Sequence, residues 1–219
     1  MHYTPDLAVV TEHWQVMLLG LRMTLYLAVT SMACALVMGL LLAIIRVSRI
    51  MPLVWLTDAY IQFFRGIPQF VFLLWLYYGV SLLIGINFQP ITAGVIALSV
   101  QYGAYLSEIF RSGIQAIQRG QVEAGLSVGL SRLSIYRRII LPQAYRIVLP
   151  PTVNMWISML KDTALVSVIG VSELMRTTEI QSNFYFRPFE FYTAAALIYV
   201  VMTLVFARVA LVLERRLRF

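Results

Sequence analysis

The chain has 219 residues, of which 60% are hydrophobic and only 12% are charged, and its mean hydropathy is +0.81. Soluble domains carry about 25% charged residues, so this composition excludes an ordinary soluble protein and indicates a polytopic membrane protein embedded in a lipid bilayer. The net charge of +7 comes from short basic clusters between apolar runs, a pattern typical of cytoplasmic loops rather than of nucleic-acid binding.

Cysteine and histidine are too few for a metal centre. Cys34 is the only cysteine, so neither an intrachain disulfide nor a thiolate cluster can form. His2 and His13 both lie near the N-terminus. We therefore expect no metal site and no catalytic residue in this chain.

The apolar runs predict an all-α membrane protein with five transmembrane helices in a single domain that covers residues 1–219. The predicted spans are 18–45, 54–84, 91–110, 150–170 and 193–213. Basic residues follow alternate spans at Arg46, Arg111 and Arg215. By the positive-inside rule, the N-terminus is outside and the C-terminus is cytoplasmic.

The second span is predicted to bend. Pro52 starts a helical stretch that leads into Arg65-Gly66-Ile67-Pro68. Gly66 loosens the backbone and Pro68 disfavours helical geometry at Ile67. Bent helices free backbone groups, which are tolerated at membrane depth where protein or a water-filled cavity satisfies them.

The third span has a polar face, because Gln101, Tyr105 and Glu108 are spaced i, i+4 and i+7. A polar stripe within a span usually faces the bundle interior or a cavity. The fourth span is predicted to open at Pro150-Pro151, which suit the first turn of a helix. It carries Lys161 and Asp162, by this count about 15 Å from its start, near the bilayer midplane.

Adjacent helical residues point about 100° apart, so Lys161 and Asp162 either serve different partners or mark a break in the helix. One interpretation is a buried ion-pair network that locks the bundle. The other is a midplane site for a zwitterion, in which Asp162 meets an amino group and Lys161 or Arg65 meets a carboxylate. Thr163 and Ser167, one turn apart, would add hydrogen bonds on the same face; Gln69 and Gln101 are further cavity candidates.

A polar segment, residues 117–144, interrupts the apolar runs between the third and fourth spans; we call it the coupling loop. Glu123 to Val128 is predicted to form a short helix that Gly129 ends. Ser131 is predicted to cap a second short helix, which Pro142 closes. From the residues alone, such a helix-Gly-helix loop suits either protein docking or an amphipathic loop on the lipid surface.

The loop resembles the cytoplasmic loop of ABC importer permeases. The resemblance rests on Glu123-Ala124, Gly129 and Ile139-x-Leu141-Pro142, with Gly125 where the family usually has Ala. In that family the loop fits a groove on the ATP-binding subunit. The resemblance therefore assigns ATPase coupling to Glu123, Ala124, Gly129 and Pro142, with Arg137 and Arg138 as rim contacts or simple topology signals.

Three further stretches are similar to the branch that imports polar amino acids, such as the histidine, glutamine and arginine permeases. They begin at Phe63, Ala104 and Leu160, and Ile67 stands where Thr is common. The resemblance implies a bacterial inner-membrane permease that pairs with an identical or homologous permease, two ATP-binding cassette subunits and an external substrate-binding protein. ATP and Mg would be bound by the partner ATPase, since this chain lacks a phosphate loop.

Two other functions remain open from the residues. An ion-coupled secondary transporter would use Lys161 and Asp162 as coupling charges, although five spans do not divide into two inverted repeats. An intramembrane enzyme would need a nucleophile with a base, or metal ligands, within the membrane, and neither histidine is placed for that role.

Overall fold

The computed structural model describes residues 4–48 and 50–217, without the side chains of Arg119 and residues 213–217. His2 and Arg49 lie outside these ranges, and the side chain of Arg215 is among those not described. Within the described residues the chain is helical and contains no strand. The helices are α1 (Ala8–Glu12), α2 (Trp14–Val47), α3 (Met51–Gly66), α4 (Gln69–Leu74), α5 (Ser81–Ile84), α6 (Pro90–Gln115), α7 (Arg119–Ser127), α8 (Arg132–Ile135), α9 (Leu141–Asp162), α10 (Leu174–Tyr185) and α11 (Pro188–Leu217). A π-helical segment, Trp75–Val80, joins α4 to α5, and another, Tyr136–Ile140, joins α8 to α9.

Small residues bring α2 and α6 into close contact along the centre of the bundle. They recur at four-residue intervals as Ser31, Ala35 and Gly39 on α2 and Ser99, Gly103 and Ser107 on α6. A methyl group at Gly39 would lie only 2.7 Å from Leu106 Cβ and 3.1 Å from the carbonyl oxygen of Gly103. Ser99 also donates a hydrogen bond to the Ser31 carbonyl at 3.1 Å. This small-residue packing, common between membrane helices, fixes α6 against α2.

The predicted elbow is confirmed as a sharp break between α3 and α4. Pro52 lies in the first turn of α3, and Ile67 leaves the helix with extended backbone angles. The axes of Met51–Gly66 and Gln69–Ile84 meet at 107°. The carbonyl that the break frees at Ile67 accepts a 2.7 Å hydrogen bond from Gln101 Nε2 on α6. The Gln101 side chain thus satisfies the backbone carbonyl that the break in the helix leaves without a helical partner.

The prediction that Pro150-Pro151 open a helix is wrong, because α9 begins at Leu141 and continues through both prolines. Pro142 likewise opens α9 rather than closing the preceding helix. Close packing against α6 supports this stretch, since a Cβ at Gly113 would meet Val148 Cγ1 at 2.1 Å. The depth assigned to Lys161 was counted from the wrong starting residue and no longer holds.

The segment between α9 and α11 contains α10, and the N-terminus of α10 is held by a buried carboxylate. Glu173 is fully buried and accepts hydrogen bonds from the backbone N–H groups of Met175 and Arg176 at 2.9 and 2.8 Å. Its Oε2 also accepts from Tyr199 on α11 at 3.0 Å and from Thr24 on α2 at 3.4 Å. Glu173 therefore caps α10 and joins it to α2 and α11.

Two of the described helices are long and apolar enough to cross a bilayer, Trp14–Val47 and Pro188–Val212. Two bent pairs could each form another span: Met51–Gly66 with Gln69–Ile84, and Arg132–Ile169 with Leu174–Tyr185. The described residues thus hold two to four candidate spans by length and composition, and α6, with its polar face, is not among them. The predicted number of five spans is not established by this count.

Candidate functional site

A cavity of about 470 Å³ lies between the elbow, α6 and α9. It brings together four of the residues predicted to bind substrate, which come from three separate parts of the chain: Arg65, Gln69, Gln101 and Asp162. The elbow supplies Arg65 and Gln69 because the helix axis turns there. We call this cavity the α3–α6–α9 pocket.

Asp162 is the acidic group of the pocket. It is the last residue of α9, where the helix changes from α to 3₁₀ geometry at Thr163–Ile169. Its Oδ2 accepts a 2.7 Å hydrogen bond from the hydroxyl of Tyr102 on α6. This bond connects two walls of the pocket and fixes one carboxylate oxygen. The half-buried carboxylate retains further lone pairs for a cationic ligand.

Arg65 is the basic group of the pocket and lies at the end of α3. Its guanidinium is 5.4 Å from the centre of the Tyr105 ring, within the range of a cation–π contact. The side chain is exposed, so it can still meet an anionic group. Arg65 and Asp162 therefore place opposite charges on different walls of one cavity.

Two amide oxygens add acceptors to the pocket. Gln101 is only 4% exposed, and its Nε2 donates to the Ile67 carbonyl. Among the described residues, nothing donates a hydrogen bond to the buried Oε1 atoms of Gln101 and Gln69. A buried acceptor without a partner is costly, so these oxygens favour a ligand that brings N–H or O–H donors.

Three predicted substrate residues do not line this pocket: Lys161, Thr163 and Ser167. Lys161 is exposed, while Thr163 is buried and donates to the Leu160 carbonyl at 2.8 Å. Thr163 and Ser167 do not share a face, because they lie on a 3₁₀ segment, where residues three apart are aligned. The prediction assumed α-helical spacing.

The pocket also contains residues that the sequence argument did not assign to the site: Tyr102, Tyr105, Met155, Ser158 and the elbow backbone from Gly66 to Pro68. Tyr105 had been recognised on the polar face of α6. Ser158 and Met155 precede Asp162 by four and seven residues, which is the spacing of one helical face. This spacing could have identified Ser158 and Met155 as pocket residues from the sequence. Nothing in the sequence singles out Tyr102 except its position beside Gln101.

A larger cavity of about 620 Å³ lies between α2 and α10. Among the described residues that line it, Arg22 is the one with a charge. Its walls include Leu19, Met23 and Ile180, so most of the surface is apolar. Because no carboxylate lies in the described lining, this cavity is poorly suited to both charges of a zwitterion, and the α3–α6–α9 pocket is the better candidate.

The coupling loop forms the predicted helix-Gly-helix unit. After α7, Gly129 has a left-handed backbone with φ of 76°. Leu130 N–H donates to the Gly125 carbonyl and Gly129 N–H donates to that of Leu126, both at 3.0 Å. This pair of bonds is the Schellman helix ending. Ser131 caps α8 by accepting a hydrogen bond from Ser134 N–H, as predicted.

Packing inside the loop accounts for glycine at position 125. Gly125 is buried, and a Cβ there would lie 2.9 Å from Cγ1 and 3.1 Å from Cδ1 of Ile135 on α8. The paired side-chain amides of Gln121 and Gln143 link α7 to the start of α9. The two arms of the loop therefore form one packed unit.

The outer surface of the loop exposes apolar side chains. Leu133 is 77% exposed and Val128 is 74% exposed. Leu126, Tyr136 and Leu141 are exposed as well. The predicted coupling residues lie on the same unit, and all of them are exposed: Glu123, Ala124, Gly129, Arg137, Arg138 and Pro142. Several exposed apolar side chains on one packed loop, together with exposed polar residues, are typical of a protein-binding surface; we call these apolar side chains the exposed apolar cluster.

The fold agrees with comparisons to known proteins. The chain is 39% identical to the probable amino-acid permease protein YxeN of Bacillus subtilis over 198 residues, covering 90% of this chain and 88% of that protein. It is 35% identical to the histidine/lysine/arginine/ornithine transport system permease protein HisQ of Escherichia coli over 213 residues, covering 92% of each. The crystal structure of an amino acid ABC transporter with histidines superposes with a TM-score of 0.93 at 39% identity, covering 98% of this chain and 100% of the other.

These similarities extend along almost the whole chain, so they concern the complete bundle rather than one motif. The profile of the family described as binding-protein-dependent transport system inner membrane component matches residues 17–219. The chain belongs to that family of membrane transport components.

Proposed function

We propose that this chain is the permease subunit of an ATP-driven importer of polar amino acids. The observation that carries the proposal is the α3–α6–α9 pocket, which combines Arg65, Asp162 and the free amide oxygens of Gln69 and Gln101. The similar proteins include permeases named for the transport of arginine, histidine and glutamine, which supports the same substrate class.

The chemistry of the pocket suits a zwitterion. An α-ammonium group is a cation with three N–H donors, and it can be met by the Asp162 carboxylate together with an amide oxygen. An α-carboxylate can be met by the Arg65 guanidinium, which offers several donors in a fixed plane. A polar side chain on the amino acid would supply a donor to the remaining amide oxygen.

The coupling loop is proposed to dock the ATP-binding subunit. Its exposed apolar cluster and basic border support docking on a protein surface, and the ATP and Mg²⁺ would be held by that partner. The chain would cross the membrane five times, with the loop in the cytoplasm, beside a second identical or homologous permease. Substrate would arrive from an external binding protein.

The docking proposal can be tested with one substitution and a matched control. The chain is co-expressed with its cognate ATP-binding subunit, and the complex is purified through a tag on the permease. Leu133→Asp places a charge in the exposed apolar cluster and should reduce ATPase recovery at least tenfold. Phe186→Asp makes the same change at a site that is 85% exposed, where φ of 55° suits Asp, and should leave recovery unchanged. Equal recovery in both variants would refute docking at this surface.

The substrate proposal is tested separately by binding. The purified complex in nanodiscs is titrated with radiolabelled L-arginine, L-histidine and L-glutamine. The Asp162→Asn variant should lose at least tenfold in affinity for whichever amino acid the unmodified complex binds. The Lys161→Gln variant is the control, because Lys161 does not line the pocket. An unchanged affinity after Asp162→Asn would remove Asp162 from the site.

A further inference from the structure

An ion cluster joins three helices between the pocket and the coupling loop. We call it the Arg46 cluster: Arg46 on α2, Asp58 on α3, and Glu108 and Arg111 on α6. Arg46 Nε is 2.6 Å from Asp58 Oδ1, and Arg46 Nη1 pairs with Glu108 Oε2. The other oxygen of Glu108 is 2.5 Å from Arg111 Nη2. One guanidinium thus bridges carboxylates on two different helices.

The cluster depends on arginine at position 46. The Arg46 side chain is only 13% exposed, whereas Asp58 and Glu108 are 41% and 30% exposed. The planar guanidinium reaches the two carboxylates with different nitrogens, Nε toward Asp58 and Nη1 toward Glu108, which the compact ammonium group of lysine cannot reproduce. Two arginines balance two carboxylates, so removing either carboxylate leaves a largely buried Arg46 with incomplete pairing.

The position of the cluster on α6 links it to both functional regions. Gln101 and Tyr105 line the pocket, and Glu108 follows them on the same helical face. Arg111 then donates a 2.7 Å hydrogen bond to Gln115, the last residue of α6. Helix α7 of the coupling loop begins at Arg119. The cluster therefore lies between the pocket and the loop on one continuous helix.

The Arg46 cluster also holds α3, the helix that leads into the elbow. Asp58 is seven residues, or about 10 Å of helix, before Arg65. Near the pocket, α3 and the elbow are attached to α6 by the hydrogen bonds from Tyr60 to the Val100 carbonyl, at 2.8 Å, and from Gln101 to Ile67. The Arg46 cluster adds a charged attachment at Asp58, close to Tyr60 on α3, and joins α3 to both α2 and α6.

We propose that Arg46 is a positioning residue that makes α3 follow α6, so that movement of the coupling loop shifts the elbow relative to Asp162 on α9. This inference rests on the proposed function. Without the ion pairs, the hydrogen bonds from Tyr60 and Gln101 still link α3 and its elbow to α6. With the ion pairs, α3 is also tied through Arg46 to Glu108, so that a displacement of α6 reaches Arg65 and Gln69.

The test is the number of amino acids transported per ATP hydrolysed, measured in proteoliposomes that contain the permease, its ATPase and the loaded external binding protein. Asp58→Asn and Glu108→Gln should each lower this ratio at least fivefold while ATPase recovery in the complex stays normal. Because both carboxylates act through Arg46, the double variant should lower the transport ratio by about as much as the more severe of the two single variants. Arg46→Lys, which keeps the charge but not the bridge, should lower the ratio as well.

Glu179→Gln is the matched control, since it breaks the ion pair of Glu179 with Arg176 within α10 alone and should leave the ratio unchanged. Unchanged ratios in the Asp58, Glu108 and Arg46 variants would overturn the inference, as would an equal fall in the control. If a carboxylate variant fails to accumulate in the membrane, Arg46→Lys decides the question. Failure of the unmodified complex to bind the ATPase or to transport would instead refute the proposed function.

Discussion

The hydrogen bond between Tyr102 and Asp162 gives the sharpest test of the pocket. Tyr102→Phe removes only the hydroxyl that donates to Asp162 Oδ2 at 2.7 Å. A hydrogen bond to a charged group contributes about 1.5–3 kcal/mol. This bond lies within the chain itself, so only its orientation of the carboxylate contributes to ligand affinity, and we expect about 1.4 kcal/mol, equivalent to about tenfold.

The matched control lies on the same helix. The hydroxyl of Tyr105 is 3.5 Å from the Arg65 carbonyl and exposed, which is too long for a strong bond. Tyr105→Phe keeps the aromatic ring beneath the Arg65 guanidinium and should change affinity by less than about twofold.

Equilibrium binding of the same three radiolabelled amino acids to the complex in nanodiscs measures both variants. The expected result is weaker binding in Tyr102→Phe and near-normal binding in Tyr105→Phe, with comparable ATPase recovery in both. Binding by Tyr102→Phe that equals the unmodified complex, or is tighter, would mean that the hydroxyl does not orient Asp162 for the ligand. The argument for a pre-positioned carboxylate would then be wrong.

Three further predictions concern packing, and each is measured by thermal unfolding of the purified protein, followed by tryptophan fluorescence. Gly39→Ala forces a methyl group against the backbone of α6 and should lower the free energy of unfolding by about 1–3 kcal/mol. The control is Gly120→Ala, which has open space around it and should be neutral or stabilising. Equal effects of the two substitutions would contradict close α2–α6 packing. Gly125→Ala places a methyl group 2.9 Å from Cγ1 of the buried Ile135 and should cost about 1 kcal/mol. Gly125→Val should cost more and also reduce ATPase recovery; normal recovery with valine would argue against a packed loop. Glu173→Ala leaves buried donors without an acceptor and should cost about 3 kcal/mol, and an unchanged midpoint would contradict its capping role.

Features set by short-range chemistry could be predicted from the sequence. The elbow follows from glycine and proline at Gly66-Ile67-Pro68, and the end of α7 follows from the left-handed backbone that Gly129 permits. Four pocket residues were predicted because polar side chains within apolar segments usually face the interior of the bundle or a cavity. The elbow and the end of α7 do not depend on which helices are neighbours.

Features that depend on neighbouring helices could not be predicted. Pro150 and Pro151 normally favour a helix start, but α9 continues through them against α6 at Gly113. The 3₁₀ segment after Asp162 changes the helical period, which separated Thr163 from Ser167. Tyr102 became a pocket residue only because α9 places Asp162 within reach of its hydroxyl, a contact between residues 60 positions apart.

The continuous course of α9 through Pro150 and Pro151 connects the coupling loop to the pocket. If α9 started at those prolines, a flexible connection would separate the loop from Asp162. Instead, helical structure runs from α8 through the π-helical segment and α9 to Asp162, and the other arm, α7, is joined to α6 by the three residues 116–118. Each arm thus lies close in sequence to a helix that forms one wall of the pocket, and the Tyr102–Asp162 hydrogen bond joins the two walls. A tilt of the packed loop would move both walls at once, so docking and substrate contact need not communicate through a long flexible segment.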